Sequence, residues 1–228
     1  MKKIIIPFLC VTLFSTAVSA QKKATTKLES AKPAVAEVNS KTILDNYLTA
    51  LGGKAKLEAV KSIITEEQIS VQGMDIISVT KKMGNKFKSV QTVMGQKVTT
   101  VFDGNKGYMD QMGTKTDFPQ DKIEELKKAK TIDALGFGDT TYTNSVEKID
   151  NKNYNVLTSD RGKLYFDTAT GLLYKTNIGG VNMTIKSYKE VDGLKFPEQM
   201  EAEGNGQNIV VKTSKITVNS GVSEADFQ

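Results

Sequence analysis

SIITEEQISVQGMDIISVTKKMGNKFKSVQTVMGQKVTTVFDGNKGYMDQM, residues 62–112, decides the fold. Apolar and polar residues alternate here with a period near two, and turn residues break the pattern every eight to twelve positions, which is the signature of short antiparallel strands. The spacing predicts strands from Ser62 to Gln72, Met74 to Met83, Lys86 to Met94, Lys97 to Phe102 and Lys106 to Met112. The breaks between them carry turn chemistry: Gly73, Gly84-Asn85, Gly95 and Asp103-Gly104-Asn105.

Working outward towards the C-terminus, the same pattern returns after one interruption. Pro119 opens a polar helix through Ile123 and Leu126, and the Gly-broken segment Ile132 to Gly138 reads as a loop or a helical turn. Strands are then predicted at Thr140 to Ile149, Tyr154 to Ser159, Lys163 to Asp167, Leu172 to Ile178, Val181 to Val191, Leu194 to Ala202 and Gln207 to Val218. Consecutive hairpins make a meander of eleven or twelve strands with few helices to cover it. Such a long sheet must curl to hide one face. The fold class is therefore α+β, mostly β, with about eleven strands in a curved antiparallel sheet.

Towards the N-terminus the period changes. Ser40 is a candidate cap for a helix carrying Ile43, Leu44, Tyr47, Leu48 and Leu51 on one face, and Gly52-Gly53 stops it. Residues 21–39 are Lys, Ala, Thr, Ser and Glu without periodicity, as expected of a flexible linker. Residues 1–20 have the three parts of a cleavable export signal: Lys2 and Lys3, an apolar run from Ile4 to Phe14, and the small-residue ending Ala17-Val18-Ser19-Ala20. Cleavage between Ala20 and Gln21 would place residues 40–228 as one domain in the periplasm or against the outer membrane. The sole cysteine, Cys10, lies inside the apolar run rather than at the cleavage point, so no lipidation is expected.

Composition narrows the chemistry. After residue 20 the chain has no Cys, His or Trp, which removes disulfides, the preferred zinc ligands and every catalytic triad built on His or Cys. Neither a metal nor a cofactor is expected. Removing Lys2 and Lys3 leaves 29 basic residues against 26 acidic ones, and Arg161 is the only arginine. That balance points away from nucleic acid, whose readers rely on Arg forks and stacked aromatics.

Three quoted runs share a further property with Ile43 to Ile63: Val101-Phe102-Asp103-Gly104-Asn105-Lys106-Gly107-Tyr108, Tyr165-Phe166-Asp167-Thr168-Ala169-Thr170-Gly171-Leu172-Leu173, and Ser187 to Pro197. In this order they resemble outer-membrane lipoprotein-sorting-like proteins of the LolA/LolB-type superfamily, similar domains of which are fused to insulinase-type peptidases. The resemblance covers roughly Thr42 to the C-terminus. It implies a half-barrel with helices packed in its concavity, and an apolar cavity that holds acyl chains.

Candidate contact residues follow from position. Met94 and Met112 precede a turn glycine and Met74 follows one, so in a simple meander the three share one end of the sheet, with Met83 opposite. Flexible thioethers there suit adaptable contact with acyl chains or a protein, and they equally suit core filling at strand ends. The interior face is expected to carry Ile69, Val71, Ile77, Val79, Phe87 and Val98, together with Leu164, Phe166, Met183 and Ile185. Glu66 and Glu67 are neighbours on a strand and must point to opposite faces, so they cannot act as a catalytic pair. Lys81, Lys82, Lys86 and Lys88 flank one hairpin, as a headgroup-binding patch or as charges that guard a sheet edge. The leading expectation is a non-enzymatic envelope protein binding a lipid or an acylated protein. A protein-interaction module supporting an envelope peptidase or assembly comes second, and a hydrolase third.

Overall fold

The computed structural model describes residues 39–204 and 206–228; the expected export signal and nearly all of the expected linker lie outside the described residues. Among the described residues, one open antiparallel sheet contains thirteen strands. The N-terminal meander runs β1 (Ser62–Val71), β2 (Met74–Met83), β3 (Lys86–Val93), β4 (Gln96–Phe102), β5 (Gly107–Gln111) and β6 (Thr114–Asp117). The C-terminal meander runs β7 (Thr143–Ile149), β8 (Lys152–Ser159), β9 (Gly162–Asp167), β10 (Leu173–Ile178), β11 (Val181–Val191), β12 (Leu194–Gly204) and β13 (Gln207–Val218). The two meet where β1 pairs with β13, which makes β6 and β7 the edge strands among the described residues. The strand missing from the sequence reading is β6, whose Thr-Lys-Thr-Asp is exposed throughout and has no apolar alternation to reveal it.

Two-residue turns set the register of the first half. Gln72 and Gly73 both have positive φ (50° and 81°), as do Met94-Gly95 and Met112-Gly113, the geometry that suits the twist of a tight hairpin. With Val71 opposite Met74, Ile69 must face Ile76. Ile69 (fully buried), Val71 and Ile76 therefore share the inner face, while Ile77 is 52% exposed on the outer face and Val79 is on that face with it. Assigning Ile77 and Val79 to the interior is thus corrected by one residue. In a period-two strand, one step inverts every side chain.

The helices cover the concave side. Helix α1 (Ser40–Ala50) is capped by Asn39, whose side chain accepts from the Thr42 N–H at 2.9 Å, one residue earlier than expected. It buries Ile43, Tyr47 and Leu48, with Leu51 just beyond it, against the inner face. At about 1.5–3 kcal/mol each, those contacts hold a helix too short to persist alone. Its end docks on the β11–β12 turn: the Lys195 N–H donates to the Leu51 carbonyl at 2.8 Å. Gly52 makes that approach possible, since its φ is +121° and an added Cβ would sit 2.3 Å from the Gly193 oxygen.

Helix α2 (Lys54–Glu58) inserts Leu57 into the same core. Helix α3 (Gln120–Leu126) follows Pro119 and packs Leu126 against Phe87 and Phe102. The segment from Asp133 to Asp139 is a 3-10 helix, and a second one, Glu224–Phe227, lies outside against β3. Lys81 and Lys86 pair with Asp226 and Glu224 of that C-terminal turn, and Lys82 pairs with Asp133. Three of the four hairpin lysines thus tie elements together.

Candidate functional site

A cavity of about 240 Å³ lies between the inner face of the sheet and the helical layer. Its apolar wall comes from the C-terminal half, with Leu173 of β10, Met183 and Ile185 of β11, Phe196 and Met200 of β12, and Ile216 of β13. The helices close it with Tyr47, Leu51, Leu57, Leu126, Ile132 and Phe137. Tyr47 is the keystone of this layer, its ring 5.1 Å from that of Phe166 and stacked at 6.0 Å on that of Phe137. Burial pushes the phenols of Tyr47 and Tyr188 well above the usual tyrosine range, and Tyr188 donates to the Leu173 carbonyl at 2.7 Å.

The opposite wall is of different chemistry. On this side Thr65, Glu67 and Thr80 line the cavity beside Ile63 and Phe87, and cross-strand pairing continues the inward-facing hydroxyls beyond the lining to Ser78, Ser89 and Thr100. Ser78, Ser89, Thr100 and Thr213 are all buried, with Thr80 donating to Ser89 at 3.0 Å and Thr213 to the Pro197 carbonyl at 3.2 Å. A bulge at Ser214 interrupts the β1–β13 ladder, so that Glu66 faces Lys215 but Glu67 faces Thr213. The extra residue lets both Thr213 and Ile216 line the cavity, three positions apart.

Glu67 is the one unpaired acid of this wall. Glu66, on the outer face, is 3.4 Å from the Lys215 ammonium, whereas among the described residues the Glu67 carboxylate has neither hydrogen bond nor ion pair. Burial alone pushes its carboxyl up to about 7. The other acid lining the cavity, Asp133, is held at 2.6 Å by Lys82.

A second, shallower groove of about 950 Å³ runs outside, between α1 and the segment that follows α3. Ala129, Thr131 and Ala134 line both spaces and form the partition between them. Thr131 fastens it, accepting from the Gly84 N–H at 2.8 Å and donating to the Lys61 carbonyl at 3.3 Å.

Of the residues singled out from sequence, Phe87, Met183 and Ile185 line the cavity. Ile69, Val71, Leu164 and Phe166 are buried in the adjoining core, and Val98 is half-buried on the inner face. Met74, Met94 and Met112 do share one end of the sheet, at 41%, 83% and 71% exposure. They do not border the cavity, which on β2 is lined by Thr80 and Lys82, towards the other end. The expectation that they frame its mouth is corrected accordingly: the curl of the sheet and the placement of the helices, not strand length, locate the empty space. Glu67 was missed as a cavity residue, although the parity it shares with Ile63, Ile69 and Val71 on β1 marks it as inward-facing.

These features define a class: an open, curved antiparallel sheet whose concave side is covered by helices over a small, mostly apolar cavity. No family model and no curated protein matches the chain. Among solved structures it is similar to a DUF1329 family protein from Desulfovibrio piger, with 13% identity over 82% of this chain and 96% of that one and a TM-score of 0.58. It is also similar to a LolA superfamily protein from Nitrosomonas europaea, with 13% identity over 84% and 98% and a TM-score of 0.54. At such identities the likeness is one of fold, and the chain has a LolA-like fold.

Proposed function

We propose that this is a non-enzymatic, exported envelope protein that binds an apolar ligand, a lipid or an acylated group, in the half-barrel cavity. The observation that carries the reading is the cavity itself, with leucine, methionine, isoleucine and phenylalanine on one wall and the helical layer opposite the sheet. Wrapping an apolar group in such a wall gains about 25 cal/mol per Å² removed from water. Size sets a limit. About 240 Å³ is the room of roughly eight waters, so one short chain, or the end of a longer one, fits without expansion. The non-enzymatic part is supported by the isolation of Glu67 and the capture of Asp133 by Lys82, which leaves the cavity without a free pair of acids.

Mass spectrometry of organic extracts from protein purified out of the envelope tests this. A co-purifying single-chain amphiphile is expected, together with a mature N-terminus at Gln21. An empty protein that also fails to bind an uncharged apolar fluorophore would overturn it. The interaction-module reading has its own observation, the exposed Met94 and Met112 at hairpin tips, and a protein captured through those tips would favour it.

A further inference from the structure

The polar wall says more about the ligand than the apolar wall does. A cavity meant only for hydrocarbon would be lined by apolar side chains throughout, and here Thr65, Thr80 and Thr213 of the sheet line the space around the Glu67 carboxyl. We propose that Glu67 is the specificity-determining residue of the cavity, receiving the hydrogen-bond-donating cationic head of a single-chain amine and rejecting chains that end in a carboxylate. The proposal rests on the apolar-ligand reading above and names the ligand class for that same site.

Geometry carries it. Register places Glu67 on the inner face between Ser78 and Thr213, with Thr65 and Thr80 beside it. The other charged or titratable groups lining the space are Lys82 from β2, Lys195 from β12, Asp133 from the 3-10 helix and Tyr47 from α1. Lys82 is engaged by Asp133, and none of the four hydrogen-bonds or pairs with Glu67. A half-buried carboxylate without a protein partner is costly to ionise, and an ammonium group satisfies it with a charge-assisted bond. The surrounding hydroxyls can accept the remaining ammonium protons.

A ligand carboxylate would instead set two anions side by side, so one of them would have to stay protonated. With its carboxyl raised to about 7, Glu67 is largely neutral in mildly acidic solution, and an arriving ammonium shifts it to the charged form and releases its proton to solvent.

The test uses octylamine, octanol and octanoate as competitors for the uncharged fluorophore N-phenyl-1-naphthylamine, at chain lengths matched to the cavity. Wild type is expected to bind octylamine at least about ten-fold more tightly than octanoate at pH 8, and Glu67→Gln to bring the two within about two-fold while leaving octanol unchanged. Octylamine affinity for wild type should also rise about ten-fold or more from pH 5.5 to pH 8, with octanol flat, a readout that needs no variant. An amine preference that survives in Glu67→Gln, or an amine affinity indifferent to pH, would overturn the role of Glu67. Failure of wild type to bind the fluorophore and all three chains would instead overturn the ligand-binding reading itself.

Discussion

Replacing Glu67 by Gln should make the protein more stable above neutral pH and change little in acid. The sign follows from proton counting. Below about pH 4.5, the ordinary carboxyl value, folded and unfolded chains both hold the proton, and Glu67 adds no pH dependence. Between 4.5 and about 7 the unfolded chain gives it up while the folded chain keeps it, so stability falls as pH rises. Above about 7 both are ionised and the full cost of a buried charge is present. At about 1.4 kcal/mol per pKa unit the ceiling is about 3.4 kcal/mol. Glu67 is only half-buried and faces a cavity that admits water, which brings the expected cost to about 1–2 kcal/mol. Gln keeps the shape without titrating. Urea unfolding of both proteins at pH 4 and pH 8 should therefore show a Gln-minus-Glu difference that grows by about 1–2 kcal/mol with pH. A difference that is constant with pH, or that shrinks, would refute the burial assigned to this carboxyl.

Gly52→Ala should destabilise by about 2 kcal/mol or more, read as a lower thermal midpoint, because an alanine at φ +121° drives its Cβ into the Gly193 carbonyl. Met94→Asn and Met112→Asn should each stabilise by about 0.5 kcal/mol in the same assay, since Asn tolerates the left-handed backbone these residues hold in their tight turns. Charging the rim with Met74→Glu, Met94→Glu and Met112→Glu together should leave fluorophore binding in the cavity unchanged, and a loss would place the mouth at that end after all. Thr131→Ala should raise the rate of fluorophore entry in stopped-flow mixing, because it removes both hydrogen bonds that hold the partition between groove and cavity.

Most of the strand order was legible in the chain, and the reasons are local. Period-two alternation and turn glycines mark where strands begin and end, and hairpin loops of two to five residues leave each strand no choice but to pair with the next. The inner face was legible only in part. Ile76-Ile77 offers an apolar residue to either face, and alternation alone cannot choose between them. The turn at Gln72-Gly73 chooses, by fixing Val71 opposite Met74.

Residue types and short spacings by themselves determined the absence of thiol and imidazole chemistry after residue 20, the meander, and the one-sided helix at its start. Only the tertiary structure decided that β1 closes the two halves against β13, a pairing between strands at opposite ends of the domain that no local pattern encodes.

 Ile69 and Val211 stand 142 positions apart in the chain and are direct neighbours across the ladder. The bulge at Ser214 that turns Thr213 towards Glu67, and the curl that leaves a cavity beside them, arise at that same junction. The physical reason is range. Alternation and turns act over a few residues, whereas the empty space depends on how side chains from both meanders and the helices fill one concavity, and that is settled only when all of them are packed together.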